Sequence, residues 1–136
     1  MDIINIEGTK ATPSIHIDVN NREFEIAGCS RPENVREFYM PVINWFENAV
    51  NNTGEIKSKV DDEEVLNFDF KLSYFNSASA KFILDILLYI NQIHSEGINI
   101  KINWYYEEGD EDMRDVGEEL AEMVDFEFKY IMMKEE

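Results

Sequence analysis

The segment from Glu63 to His94 constrains the fold more than any other part of the chain. It begins with alternating apolar residues, which are typical of a buried strand, and continues with apolar residues at three- and four-residue steps, which predict a helix. The polar or small residues Asn76 to Ser79 separate the two parts. Asn and Ser side chains accept hydrogen bonds from the free amide groups of a first helical turn. The pattern therefore predicts a buried strand that leads directly into a capped, buried helix.

The rest of the chain alternates between strand and helix patterns. Before the central segment, the patterns predict a strand at 3–6, a hairpin at 14–27, a helix from a capping box at Ser30–Glu33 to Asn51, and a charged loop at 57–64. After the central strand and helix, they predict a strand at 98–104, a helix at 113–124 and a strand at 126–132. Strands that alternate with helices predict right-handed parallel crossovers. We therefore expect one mixed α/β domain over residues 1–136, with a sheet of about four to six strands and three helices.

The charge of the chain limits its possible partners. Twelve basic and 29 acidic residues give a net charge of -17, which repels nucleic-acid backbones and anionic membrane surfaces and suits a partner with a basic face. The longest apolar run, Phe82 to Ile90, is too short to cross a bilayer. The N-terminus lacks the pattern of a secretory signal, and Cys29 is the only cysteine. These features predict a cytoplasmic protein.

Motifs for catalysis and for cofactor binding are missing from the sequence. It has no glycine-rich phosphate-binding loop, and the acidic region 107–122 does not fit the spacing of an EF-hand. The spacing places no histidine beside Ser77 or Ser79 to act as a base. We therefore expect no catalytic residue, metal or cofactor. An acid–base enzyme that uses Asp69 or Asp85, and a constitutive scaffold, stay open as alternatives.

A hydroxyl residue at a helix start has two possible roles. Ser77 can be part of an ordinary N-terminal cap. It can also accept a phosphate, because the helix dipole and the free amides stabilise the added negative charge. Spacing alone does not choose between these roles.

Five short motifs, in this order along the chain, resemble the SiaC-type bacterial regulatory phosphoproteins. They are Glu7-Gly8-Thr9 with Thr12-Pro13-Ser14-Ile15, Arg31-Pro32-Glu33-Asn34, Trp45-Phe46-Glu47, Leu72-Ser73-Tyr74-Phe75-Asn76-Ser77-Ala78-Ser79 and Trp104-Tyr105-Tyr106. The resemblance covers nearly the whole chain. It implies a small mixed α/β protein, similar in plan to the STAS-like anti-sigma-factor antagonists and without catalytic activity.

The resemblance also implies a phosphorylation switch. A protein kinase phosphorylates a hydroxyl residue in the central turn, a metal-dependent serine phosphatase removes the phosphate, and the unmodified form binds and activates a diguanylate cyclase. By position the acceptor is Ser77, with Ser79 as the fallback. This sequence has Ser77 where the family often has Thr, and Ala78 where a further hydroxyl can stand. The predicted turn neighbours are Tyr74, Asn76 and Ala78, and the predicted partner contacts are Thr9, Thr12, Pro13, Glu33 and Asn34.

Overall fold

Six strands form one mixed sheet in the computed structural model, which describes residues 1–134. Residues 135 and 136, the end of the predicted domain, lie outside the described residues. The elements are β1 (Ile4–Ile6), β2 (Ser14–Asp18), β3 (Glu23–Ser30), α1 (Val35–Asn51), α2 (Thr53–Lys59), β4 (Leu66–Phe75), α3 (Ser77–Ser95), β5 (Ile100–Glu107), α4 (Glu111–Val124) and β6 (Phe128–Met133). The predicted α/β class and mixed sheet are confirmed.

The strands lie in the sheet in the same order as in the chain. The pairs β1–β2 and β2–β3 are antiparallel, whereas β3 to β6 are parallel. Each parallel connection steps to the next strand in the same direction, so right-handed crossovers place α1, α3 and α4 on one face of the sheet. The opposite face carries no helix within the described residues. The molecule is therefore a two-layer structure with one open sheet face.

The core lies between the sheet and the helices. Strand β4 contributes four buried side chains to it, Leu66, Phe68, Phe70 and Leu72. Helix α3 packs against the sheet with five more, Ile83, Ile86, Leu87, Ile90 and Ile93. Burial of one such side chain stabilises the fold by about 1.5–3 kcal/mol relative to exposure. The predicted buried strand and buried helix are confirmed. No helix within residues 1–134 is both long and apolar enough to cross a membrane.

Polar side chains on the open face of the sheet form ion pairs and hydrogen bonds with one another. The Lys71 ammonium lies 2.9 Å from a Glu25 carboxylate oxygen and above the Tyr105 ring. The hydrogen bond to Glu25 raises the pKa of Lys71. The Asn103 amide donates to Asp69 at 2.8 Å. The sequence pattern of β4 explains this surface, because its outward residues alternate with its buried ones.

The predicted capping box at Ser30 is wrong. Ser30 is the last residue of β3, where it pairs with Phe75 and is fully buried. Helix α1 starts five residues later, and Asn34 is its cap because its side chain accepts from the Glu37 amide at 3.0 Å. Sheet pairing extends through Ser30, so its hydroxyl is unavailable to cap a helix.

The predicted charged loop at 57–64 is wrong in its first part, because residues Thr53–Lys59 form α2 and bring the described helices to four. Its one buried residue, Ile56, anchors it. Arg22 donates to the Lys59 carbonyl and to both Glu64 carboxylate oxygens, which ties α2 to the β2–β3 turn. The hydrogen bond from Arg22 lowers the pKa of Glu64 to about 2.

A glycine on α4 makes room for the largest buried side chain. Gly117 faces the indole of Trp104, which is 1% exposed and donates from Nε1 to the Met113 carbonyl at 2.9 Å. The apolar spacing of residues 113–124 predicts that Met123 faces the core, but its side chain is 64% exposed. A methyl group at position 117 would collide with the Trp104 ring.

We therefore predict that Gly117→Ala lowers the free energy of unfolding by about 1–3 kcal/mol, since overpacking forces the indole or α4 to shift. Gly54→Ala is the matched control, because a methyl group at that helical position meets no atom within 4 Å. The control should raise stability by about 0.5–1 kcal/mol. Urea unfolding followed by tryptophan fluorescence measures both. A neutral Gly117→Ala variant contradicts the prediction.

Candidate functional site

Ser77 is exposed at the first position of α3, at the carboxyl end of the parallel strands. Asn76 is the cap of this helix: its side-chain oxygen accepts from the Ser79 amide at 2.9 Å. The Ala80 amide donates to the Asn76 carbonyl. The amides of Ser77 and Ala78 then have no partner within the helix. In open α/β sheets, ligands commonly bind outside the carboxyl ends of the strands.

An irregularity in β4 aims the chain into this turn. Gly28 pairs with Leu72, but the next residue, Cys29, pairs with Tyr74, so Ser73 is an extra residue in β4. Ser73 and Tyr74 are both exposed, and Tyr74 is 51% exposed. A bulge of this kind re-aims the side chains that follow it.

The residue after the bulge returns to the core. Phe75 meets Trp104 edge-on with ring centroids 6.3 Å apart. The predicted turn neighbours, Tyr74, Asn76 and Ala78, differ in their exposure to solvent. Tyr74 and Ala78 are exposed beside Ser77, whereas Asn76 is half-buried and caps the helix.

A buried chain of hydroxyl groups lies beneath the turn. Ser30 Oγ lies 2.5 Å from the Tyr39 hydroxyl and donates to Ser79 Oγ at 2.9 Å, and Ser79 Oγ donates to the Ser30 carbonyl at 3.1 Å. Because Ser30 has a single hydroxyl proton, Tyr39 is the donor in the first of these bonds. All three side chains are fully buried, and burial raises the pKa of Tyr39. The chain joins α1, β3 and α3.

This chain separates the roles of the two serines in the turn. Ser79 is 0% exposed and both donates and accepts within the buried chain, so its hydroxyl is closed to a kinase in the folded protein. The fallback choice of Ser79 as a phosphorylation site stays a prediction, and the folded structure disfavours it because it gives the Ser79 hydroxyl a structural role. Ser77, two positions earlier, faces solvent.

Two other predicted segments meet the turn at the same end of the sheet. The Asn76 amide donates to the Ser30 carbonyl at 3.1 Å, and the Arg31 amide donates to the Ala11 carbonyl at 2.7 Å. The loop at 8–13 and the connection at 31–34 therefore adjoin the end of β3 that supports Ser77. The sequence gives no direct signal for this arrangement, because it depends on strand order.

The predicted partner contacts differ in accessibility. Thr9 is exposed and Thr12 is half-buried, and their hydroxyl groups lie 2.7 Å apart. Glu33 and Asn34 are exposed, although Asn34 also caps α1. Pro13 is buried near Gly28, which disfavours its role as a partner contact; that role stays a prediction.

The structure separates the two carboxylates considered for acid–base chemistry. Asp69 lies on the open sheet face and accepts from Asn103. Asp85 lies on α3, which covers the other face. Among residues 1–134, no group of three or more His, Cys, Asp or Glu side chains is placed to hold a metal ion.

We predict that Ser79→Ala lowers the free energy of unfolding by about 1–3 kcal/mol, because it leaves the buried Ser30 hydroxyl without an acceptor. Ser77→Ala is the control and should change stability by less than about 0.5 kcal/mol, as expected for an exposed site. Urea unfolding of both variants measures the difference. Equal effects would show that the buried chain does not stabilise the turn.

Comparisons with known proteins agree with this architecture. An uncharacterised protein of Pseudomonas aeruginosa strain UCBPP-PA14 is 30% identical over 128 residues, which cover 94% of both chains. The fold is similar to the structure of SiaC of P. aeruginosa, with a TM-score of 0.74 and 28% identity over 99% of this chain and 100% of that chain.

A second similar structure contains a partner. It is the diguanylate cyclase SiaD in complex with its activator SiaC from P. aeruginosa, with a TM-score of 0.77 and 28% identity over 97% of this chain and 99% of that chain. The family described as SiaC family regulatory phosphoprotein matches residues 6–133. On this match, which spans nearly the whole chain, the protein belongs to the SiaC family of regulatory phosphoproteins.

Proposed function

We propose that this protein is a non-catalytic switch in which phosphorylation of Ser77 controls the binding and activation of a diguanylate cyclase. The observation that carries the proposal is the contrast within the turn: the Ser77 hydroxyl is exposed on a rigid support, while the Ser79 hydroxyl is part of that support. A kinase can therefore reach Ser77 without unfolding the domain.

The local electrostatics favour a phosphate at this position. Helix α3 has no acidic residue in its first turn, whereas the other three helices of the described chain each have one or two. A phosphate on Ser77 would add a charge of about -1.5 to -2 at the positive end of the helix dipole. The modified protein should therefore keep its fold.

The same phosphate should disturb a docked partner. It adds negative charge to a chain of net charge -17 and must lose water when a partner covers it. Desolvation and repulsion of like charges then weaken association. The unmodified form is accordingly the binding form, and phosphorylation releases the partner.

The remaining components of the proposal rest on the resemblance to the family. A protein kinase adds the phosphate, and a metal-dependent serine phosphatase removes it. The structure of SiaC with SiaD supports a diguanylate cyclase as the output, and hence a role in cyclic di-GMP signalling and biofilm control. The switch would act in the cytoplasm, without a cofactor, and away from nucleic acid and membranes.

Mass spectrometry of the protein purified from its native cells tests the acceptor. We expect one phosphate, located on Ser77, that Ser77→Ala abolishes and Ser77→Thr retains. Ser73→Ala is the matched control, because Ser73 is exposed four positions earlier and should leave the phosphate in place. No phosphate under any growth condition would favour the constitutive scaffold, and a phosphate elsewhere would refute Ser77 as the acceptor.

Binding to a purified diguanylate cyclase of the same organism tests the output. Unmodified protein and Ser77→Ala should bind the cyclase and increase cyclic di-GMP synthesis. Protein with phosphoserine at position 77 should bind at least about tenfold more weakly, equivalent to about 1.4 kcal/mol. Equal binding of the modified and unmodified forms would refute the switch mechanism.

A further inference from the structure

Lys81 lies one helical turn after Ser77 on α3, and both residues are exposed. Residues four apart on a helix are neighbours, with Cβ atoms about 5–6 Å apart, and an anion that precedes a cation is the favourable order. A phosphate on Ser77 and the ammonium of Lys81 would have this order and spacing.

Lys81 makes no ion pair within the described residues, although 29 acidic residues are present in the chain. Its ammonium lies 5.8 Å from the centroid of the Phe82 ring. The Lys81 side chain therefore lies near the helix surface, and among the described residues its ammonium has no carboxylate partner.

Three other charged residues lie on α3 or on the segment that adjoins the turn. Asp85 follows Lys81 by four residues on α3, which is the same spacing as that from Ser77 to Lys81. Arg31 and Glu33 lie on the connection after β3, whose last residue accepts from the Asn76 amide. Arg31 is the cation that could replace Lys81.

We propose that Lys81 is the intramolecular partner of the phosphate on Ser77, an inference that rests on the proposed phosphorylation of that residue. The ammonium donates charge-assisted hydrogen bonds to the phosphate oxygens. Phosphorylation thus adds negative charge at the turn and also withdraws from the surface the cation that the unmodified turn presents to a partner.

The test uses phosphoserine inserted at position 77 during translation, so that no kinase is needed. Phosphorus NMR follows the second ionisation of the phosphate, whose pKa is ordinarily about 6. A nearby ammonium favours the dianion, so Lys81→Met should raise this pKa and increase the proton-binding constant by a factor of about 1.4 to 2.3. Lys81→Arg should restore the wild-type value, and added salt should shrink the difference.

Two controls make the result specific. Lys101→Met removes an exposed lysine at the start of β5, about 25 Å from the Ser77 end of the neighbouring strand, and should leave the pKa unchanged. Arg31→Met tests the competing cation and should have a smaller effect than Lys81→Met. If Lys81→Met matches Lys101→Met, the proposal is wrong.

The result of the NMR titration does not depend on whether native cells phosphorylate Ser77. A shift confined to Lys81→Met supports the pairing even if native cells never phosphorylate Ser77, and in that case only the proposed function fails. An unphosphorylated Lys81→Met variant should unfold at the wild-type urea concentration, since the side chain is exposed.

Discussion

The buried hydroxyl chain from Tyr39 through Ser30 to Ser79 is the contact on which the turn before α3 depends. It joins a helix, the end of a strand and the first turn of the central helix within one network of hydrogen bonds. A buried network of this kind stabilises when every member is paired and destabilises when one is lost. No buried side-chain polar atom within residues 1–134 lacks a partner. The buried network therefore holds the helix start that carries Ser77 in position.

The order of the strands explains why this network can exist. Since β3 and β4 are parallel neighbours, Ser30 and Phe75 pair at the same edge of the sheet, and the chain enters α3 directly after that edge. The bulge at Ser73 shifts the alternation so that the half-buried Phe75 packs against the core and Tyr74 stays exposed. The strand order thus brings the end of β3 next to the end of β4. The extra residue in β4, Ser73, then sets which way the following side chains point.

Sequence patterns predicted the elements whose apolar periods are long and regular. The β4–α3 unit, the hairpin and the parallel crossovers were all predicted correctly. Helix α2 was missed because a single buried residue, Ile56, gives no period to detect. Ser30 was misread because Ser-x-x-Glu fits a capping box, and nothing local shows that β3 continues through that serine.

The turn before α3 was predictable from the sequence, but the burial of its individual side chains was not. Ser77 and Ser79 are both compatible with a helix start, and their difference in burial arises from the contact of Ser79 with Ser30, which is 49 residues away in the chain. The burial of Pro13 could not be predicted for a similar reason, since Pro13 lies against Gly28 of a neighbouring strand. Long-range contacts of this type leave no periodic signal.

The contrast in burial between the two serines also explains how the proposed switch would avoid unfolding the domain. A phosphate on Ser79 would place a dianion in the core, where an unpaired charge costs several kcal/mol and competes with a total stability of only about 5–15 kcal/mol. A phosphate on Ser77 stays in water, at the positive end of a helix that lacks an acidic first turn. The modification can then change the surface that a partner meets while the hydroxyl chain beneath it stays intact.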